Sequence, residues 1–153
     1  MPTWDRAYQS GQDDLYNLRY VVAGGMSVAG LLPFCGLAVG EVPWTAAPAV
    51  GAFVLMWQVV LWRVTLVGVF VSDHGIKIRL VHRTRVVPWS QVSRAWAGRA
   101  ANYDAWQIWV STRDPERDLE TPIWREGSPL HRNRIVLSPE EFAAALATLN
   151  PPR

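Results

Sequence analysis

From Val21 to Trp62 the chain carries one charged side chain, Glu41, which stands between Gly40 and Val42 just ahead of Pro43. Each half of this run offers about 20 apolar or small residues. At about 1.5 Å rise per residue, that length crosses a hydrocarbon core roughly 30 Å thick. No polar stripe recurs at helical period, since Val21 to Gly40 is apolar or small on every face, unlike the core helix of a soluble protein. A cleavable signal fits less well. Asp5, Asp13 and Asp14 mix acids into the leader, and the apolar segment outruns the roughly 7–15 residues of a secretory signal. The pattern predicts an N-terminal segment over residues 1–20 and a transmembrane helical hairpin over residues 21–63 that turns at Glu41. Pro33 and Pro48 remove helix hydrogen bonds and predict a kink near the first and a late helix start near the second.

After Arg63, uniform apolarity gives way to short β-branched and aromatic segments separated by turn residues. Val64 to Ser72 is a β-branched run, although Val64 to Val67 fits helix or strand. Asp73-His74-Gly75 offers a tight turn, and Ile76 to Val81 alternates, so the pair predicts a hairpin. Further candidate strands are Thr84 to Trp89, Gln91 to Ala97, Ala105 to Ser111, Thr121 to Arg125 and Arg132 to Leu137, with a polar loop from Arg113 to Glu120. The total is about seven strands. Ser138-Pro139-Glu140-Glu141 reads as a capping box with proline at the first helical position, and Phe142, Leu146 and Leu149 fall on one face of the helix that follows. Asn150-Pro151-Pro152 ends it. Residues 64–153 are thus expected to form a mainly-β barrel capped by a C-terminal helix.

Charge orients the hairpin. Arg6 and Arg19 precede the first span and Arg63 ends the second, while the turn has no lysine or arginine, so both termini are expected in the cytoplasm of a multi-pass cell-membrane protein. Tyr16, Tyr20, Trp44 and Trp62 stand near span ends, where aromatic rings anchor at the lipid–water boundary. Gly36 and Gly40 form a G-x-x-x-G, and Ala47 and Gly51, like Gly25 and Ala29, repeat the spacing. These small residues suit close helix packing, either within the chain or between copies in a homo-oligomer. With no ionisable group inside the spans, the hairpin reads as an anchor and not as a transport path. Cys35 is the single cysteine, which excludes an intrachain disulfide and a multi-cysteine metal site.

Between His74 and Tyr103 the chain holds Lys77, Arg79, Arg83, Arg85, Arg94 and Arg99 and no acid. Each basic side chain near an anionic leaflet adds about 1 kcal/mol of attraction. Alternation puts Lys77 and Arg79 on one strand face with Ile76, Ile78 and Leu80 on the other, and Arg83 and Arg85 are candidates to extend the basic face. A merely solvated barrel face is the competing explanation of the same charges.

Two apolar helices, then Val71-Ser-Asp-His-Gly-Ile-Lys-Ile-Arg79, then Arg83-Thr-Arg-Val-Val-Pro-Trp-Ser-Gln-Val92, resemble the bacterial pleckstrin-homology-like membrane proteins, in particular the actinobacterial low-molecular-weight antigen 6 type. The likeness runs from about Arg19 to the C-terminal helix and is most specific in the string that ends in Trp89. It implies a seven-stranded pleckstrin-homology-like barrel with a C-terminal helix, no assigned enzymatic activity and no catalytic residues. The acidic loop Asp114 to Glu120 and the set Trp106, Trp109 and Trp124 lie outside the family pattern. Lys77-x-Arg79 invites comparison with inositol-phosphate-binding pleckstrin-homology domains, but no phosphate-cradling glycine loop accompanies it. Nucleic acid is disfavoured as a partner, because acids are spread through the domain and tryptophans at alternating strand positions are commonly core. His74, His82 and His131 show no metal-ligand spacing, and no nucleophile-elbow pattern surrounds a serine. The expectation is therefore a non-enzymatic, membrane-anchored interaction module without cofactor or metal. It would contact a protein partner or anionic lipid, or serve as an accessory subunit of a larger membrane complex.

Overall fold

The computed structural model describes residues 3–8, 13–40, 43–100, 103–126 and 134–150. Glu41 of the predicted turn and His131 lie outside these residues. The chain forms two compact units, one of Gln12–Leu66 and the other of Met1–Gly11 with Val67–Arg153.

The first unit is helical: α1 (Asp13–Ala29), α2 (Leu32–Ala38), a 3-10 turn (Trp44–Ala46) and α3 (Ala47–Thr65). Leu18–Ala38 and Trp44–Thr65, 21 and 22 residues, are long and apolar enough to cross a membrane. Their large apolar side chains point outward, with Val21, Val28, Leu32 and Leu55 all exposed. The proline expectations match the helix bounds. Pro33 and Pro48 each sit in a first helical turn, where a missing N–H leaves no partner unsatisfied. Helix α3 runs on to Thr65, so Val64 belongs to the helix and the strand that follows starts only at Gly68.

Breaking the first span at Gly30-Leu31 frees a carbonyl that the second span takes up. The Leu31 amide donates to Val28 O at 3.0 Å, which leaves Ser27 O without its helical donor. Gln58 Nε2 of α3 fills that place at 2.9 Å, and Trp57 Nε1 donates at 3.2 Å to Met26 O, which also keeps its helical bond from Gly30 N. Such bonds matter most where water is scarce. At the open end of the pair, an Arg19 guanidinium nitrogen donates to Thr65 O, capping the last turn of α3.

The second unit holds two four-stranded sheets. The first has β1 (Asp5–Arg6), β2 (Gly68–Ser72), β3 (Gly75–Arg79) and β4 (Thr84–Pro88) in that order, all antiparallel. The second has β5 (Val92–Arg99), β6 (Trp106–Arg113), β7 (Glu116–Arg125) and β8 (Ile135–Leu137), with β8 parallel to β7. Helix α4 (Pro139–Thr148) follows. Val69, Ile76, Ile78 and Val87 of the first sheet share one core with Val92, Ile108, Val110 and Ile123 of the second and with Phe142, Ala145 and Leu149 of the α4 segment. Burying each large side chain contributes about 1.5–3 kcal/mol.

Two expectations change. The leader supplies a strand, with Asp5 and Arg6 paired to Val71 and Phe70 and the Ala7 amide bonded to Val69 O at 3.1 Å. The expected polar loop from Arg113 to Glu120 is instead a β-hairpin, in which Leu119 is the buried residue of an otherwise exposed or half-exposed stretch. One apolar position among charges leaves too little alternation to announce a strand.

Local chemistry holds the rest. Ser138 and Glu141 complete the capping box, with Glu141 N to Ser138 Oγ at 3.3 Å and Ser138 N to Glu141 Oε2 at 2.9 Å. Asn150 Oδ1 then accepts from Ala95 N at 3.0 Å, tying the end of the helix to β5. Trp89 lies in the 3-10 turn (Trp89–Gln91) between the sheets and donates its indole N–H to Ser72 O at 2.9 Å. Gly75 is required by packing, because a Cβ there would strike the backbone of Val87 and Pro88.

The helix contact yields a direct expectation. A Cβ at Gly30 would stand 2.6 Å from Trp57 Cδ1, whereas one at Gly51 meets nothing within 4 Å. Gly30→Val is expected to cost about 1–3 kcal/mol through overpacking. Gly51→Ala should not destabilise and should raise stability by up to about 1 kcal/mol through helix propensity, with both variants compared by denaturant titration of the full chain in mixed micelles.

Candidate basic face on the first sheet

Directly opposed residues in an antiparallel pair share a sheet face, so the register sorts every basic side chain of β1 to β4. Val71, Ile76 and Val87 form one row across the sheet, with Val69 and Ile78 on the same inward face. The alternate rows point outward: Arg6, Phe70, Lys77 and Val86 in one, Gly68, Arg79 and Thr84 in the next. Lys77 and Arg79 therefore do share a face, as alternation predicts. No acidic residue occupies an outward position among the described residues of these strands, since Asp5 lies in the row of Val71.

The cations on this face sit over aromatic rings. Lys77 Nζ is 5.1 Å from the ring centroid of Trp4, and Arg79 Cζ is 5.9 Å from that of Phe70. At exposed sites such contacts are worth about 0.5–1 kcal/mol, enough to hold the head groups over the sheet while leaving their outer sides wet. Val86, 57% exposed, adds an apolar side chain beside Lys77 at the β4 end of its row. The arrangement is a shallow surface of positive charge and hydrogen-bond donors interleaved with apolar groups.

The other basic candidates lie elsewhere. Arg85 is opposite Ile78, and the Arg83 carbonyl accepts from Leu80 N at 2.8 Å, so both belong to the inward-facing rows and do not extend the Lys77 face. The reversal at Leu80 to Arg83 sets this parity by pairing Arg79 with Thr84. Arg83 then reaches Glu120 Oε1 at 3.6 Å. Arg94 is on the outward face of the second sheet, with Cζ 5.8 Å from the Trp96 ring. Exposed Arg99, at the strand end, is 4.0 Å from Asp104 Oδ1. In place of one basic patch, the structure distributes these charges over separate surfaces.

Trp4, Arg6, Phe70 and Val86 were not legible as parts of a site. Phe70 and Val86 sit inside β-branched runs that look uniformly apolar, and two residues of β1 carry no periodicity to read. The helix candidates are also redistributed. Gly36 lies within α2, and Ala47 opens α3 half-buried. Gly40 follows α2 with φ +80°, a left-handed turn residue with open space around it, and Gly51 faces open space as well. The close approach inside the hairpin is made at Gly30. Its clue in sequence is Pro33, which breaks the helix there.

The second sheet carries an aromatic stack next to Arg94. Trp96 and Trp109 oppose each other in register, with centroids 6.2 Å apart and planes 21° from parallel. Trp96 Nε1 donates to Ser111 Oγ at 3.0 Å, Ser111 Oγ donates to Asp118, and Trp109 Nε1 donates to Arg99 O at 3.3 Å. Comparison with protein-family models, with curated proteins and with solved structures finds no significant match.

Gly98 makes room for the stack. A Cβ at that position would clash with the Trp96 ring and stand 3.1 Å from Trp109 Cδ1. Gly98→Ala is expected to displace Trp96, changing the near-ultraviolet circular dichroism of the paired indoles and lowering stability by about 1–3 kcal/mol.

Proposed function

We propose that this chain is a membrane-anchored, non-enzymatic interaction module. Its two apolar spans cross the cell membrane, and its β-rich unit is a pleckstrin-homology-like barrel that lays the outward face of β1 to β4 on the anionic inner leaflet. The observation that carries this reading is the acid-free row system holding Arg6, Lys77 and Arg79, with Lys77 seated over Trp4 and Arg79 over Phe70. Anionic head groups attract such a face at about 1 kcal/mol per basic residue, and the exposed Val86 and aromatic rings gain from contact with the acyl boundary. The apolar exterior of both spans supports insertion. Two sheets around one core, closed by a capped C-terminal helix, support the pleckstrin-homology-like architecture.

Strand pairing supports the topology. β1 precedes the helical hairpin, β2 follows it, and the two lie side by side in one sheet. This pairing supports a leader and β-rich unit on the same side of the bilayer, and the basic residues flanking the spans support the cytoplasm as that side. A second reading, an accessory subunit that docks a protein partner, is favoured by the Trp96–Trp109 stack beside Arg94, since aromatic and arginine side chains are enriched at interface hot spots.

The readings separate in nanodiscs. In the full chain carrying Cys35→Ser, an environment-sensitive dye at Val86→Cys should shift to the blue in phosphatidylglycerol discs but not in phosphatidylcholine discs. Salt should reverse the shift, because screening shortens to about 3 Å at 1 M. Replacing Arg6, Lys77 and Arg79 with Gln removes about 3 kcal/mol of attraction and should abolish the response. A dye indifferent to lipid charge would sink the leaflet reading, and stoichiometric crosslinking through Trp96 neighbours would favour the partner reading.

A further inference from the structure

Arg83, just before β4, and Arg85 within it share the inward-facing parity but have different surroundings. Arg83 finds Glu120, whereas half-buried Arg85 lines an open cleft of about 250 Å³ between the edge of β4 and the β6–β7 hairpin. Arg117 lines the same cleft from the hairpin, on the strand face it shares with buried Leu119. Gln91 and Asp114 complete the polar rim, and buried Val87 and Leu119 supply an apolar floor. Thr112 Oγ1 holds the hairpin in shape, at 2.7 Å from Pro115 O and 3.2 Å from Arg117 O. Among the described residues no carboxylate oxygen comes within 4.0 Å of Arg85 or Arg117, although Asp114 lies on the rim.

We propose that this cleft binds a small anion with an oxyanion head and an apolar body. The head, carboxylate or phosphate, lies between the Arg85 and Arg117 guanidinium groups, and the body lies on Val87 and Leu119. Guanidinium forks match the oxygen spacing of both heads and bind them with charge-assisted hydrogen bonds. Arg85 gains most, because a partly buried cation without a partner feels an approaching anion through a lower dielectric than a fully solvated one does. Ligand pockets commonly span roughly 300–1,000 Å³, so this cleft suits a molecule of about one ring or the head group of a larger one. Its two arginines and its floor lie on the inward face of β4 and on the hairpin, so it does not use Lys77 or Arg79 of the basic face, although Val86 borders it.

Benzoate and phenyl phosphate are suitable probes, with benzyl alcohol as the neutral control. In the full chain in micelles, with methyl-labelled valine and leucine, both anions should shift the Val87 and Leu119 methyl signals saturably, and benzyl alcohol should not. The tighter anion identifies the head group. Arg85→Gln and Arg117→Gln should each weaken binding about tenfold or more, and Asp114→Asn should tighten it by about twofold to fivefold. Lys77→Gln should leave it unchanged. Arg117 is exposed, so its variant keeps the test valid if Arg85→Gln disturbs folding, which circular dichroism would report. If phosphatidylglycerol discs alone shift the same methyls, the occupant is a lipid head group and the site stands. The proposal fails if neither the two anions nor phosphatidylglycerol discs move these signals, if the neutral control moves them equally, or if both arginine variants bind as the parent does.

Discussion

The pairing of Asp5 and Arg6 with Val71 and Phe70 joins the chain before the helical hairpin to the chain after it. Everything between Ala7 and Val69 is thereby closed into a loop whose ends meet through backbone hydrogen bonds at the edge of a sheet. The pairing places Arg6 in the row of Phe70 and Lys77 and accompanies the burial of Ala7 and Tyr8 in the common core. It also constrains how the spans can be used, because a loop closed this way passes any bilayer an even number of times. Without β1, the β2 edge would present unpaired backbone groups, the feature that makes sheet edges prone to wrong association.

Within the hairpin, the governing constraint is satisfaction of the backbone. Pro33 forces a break, the break frees Ser27 O, and Gln58 supplies the missing donor. Trp57 serves the adjacent carbonyl and fills the space left by the absent side chain of Gly30. Proline, glycine, tryptophan and glutamine thus form one unit, in which the kink and the helix contact have the same cause. The glycine and alanine pairs spaced for helix contact include Gly51, which keeps open space around it and offers its surface outward.

In the β-rich unit, strand parity decides the fate of charge. Lys77 and Arg79 point outward because Ile76 and Ile78 point in. Arg83 and Arg85 point the other way because the β3–β4 reversal pairs Arg79 with Thr84. A basic run continuous in sequence becomes an outward face that meets aromatic rings, an inward-facing pair of which one member is neutralised by Glu120 and the other borders a cleft, and two further arginines on the second sheet. Net charge says nothing of this partition, since the same residues with a one-residue shift would exchange faces.

The two long apolar stretches, the effects of Pro33 and Pro48, the alternation of Ile76 to Leu80 and the capped helix at Ser138 are readable along the chain. Each is written in local periodicity or in the chemistry of a single turn, and such signals need no distant partner. Tertiary structure alone decided that Asp5–Arg6 is a strand, that Arg113 to Glu120 is a hairpin, that Gly30 makes the helix contact, and which basic residues share a face. Those features depend on pairings between residues far apart in the chain, where a two-residue strand or a single buried leucine gains its stability only from the partner it meets.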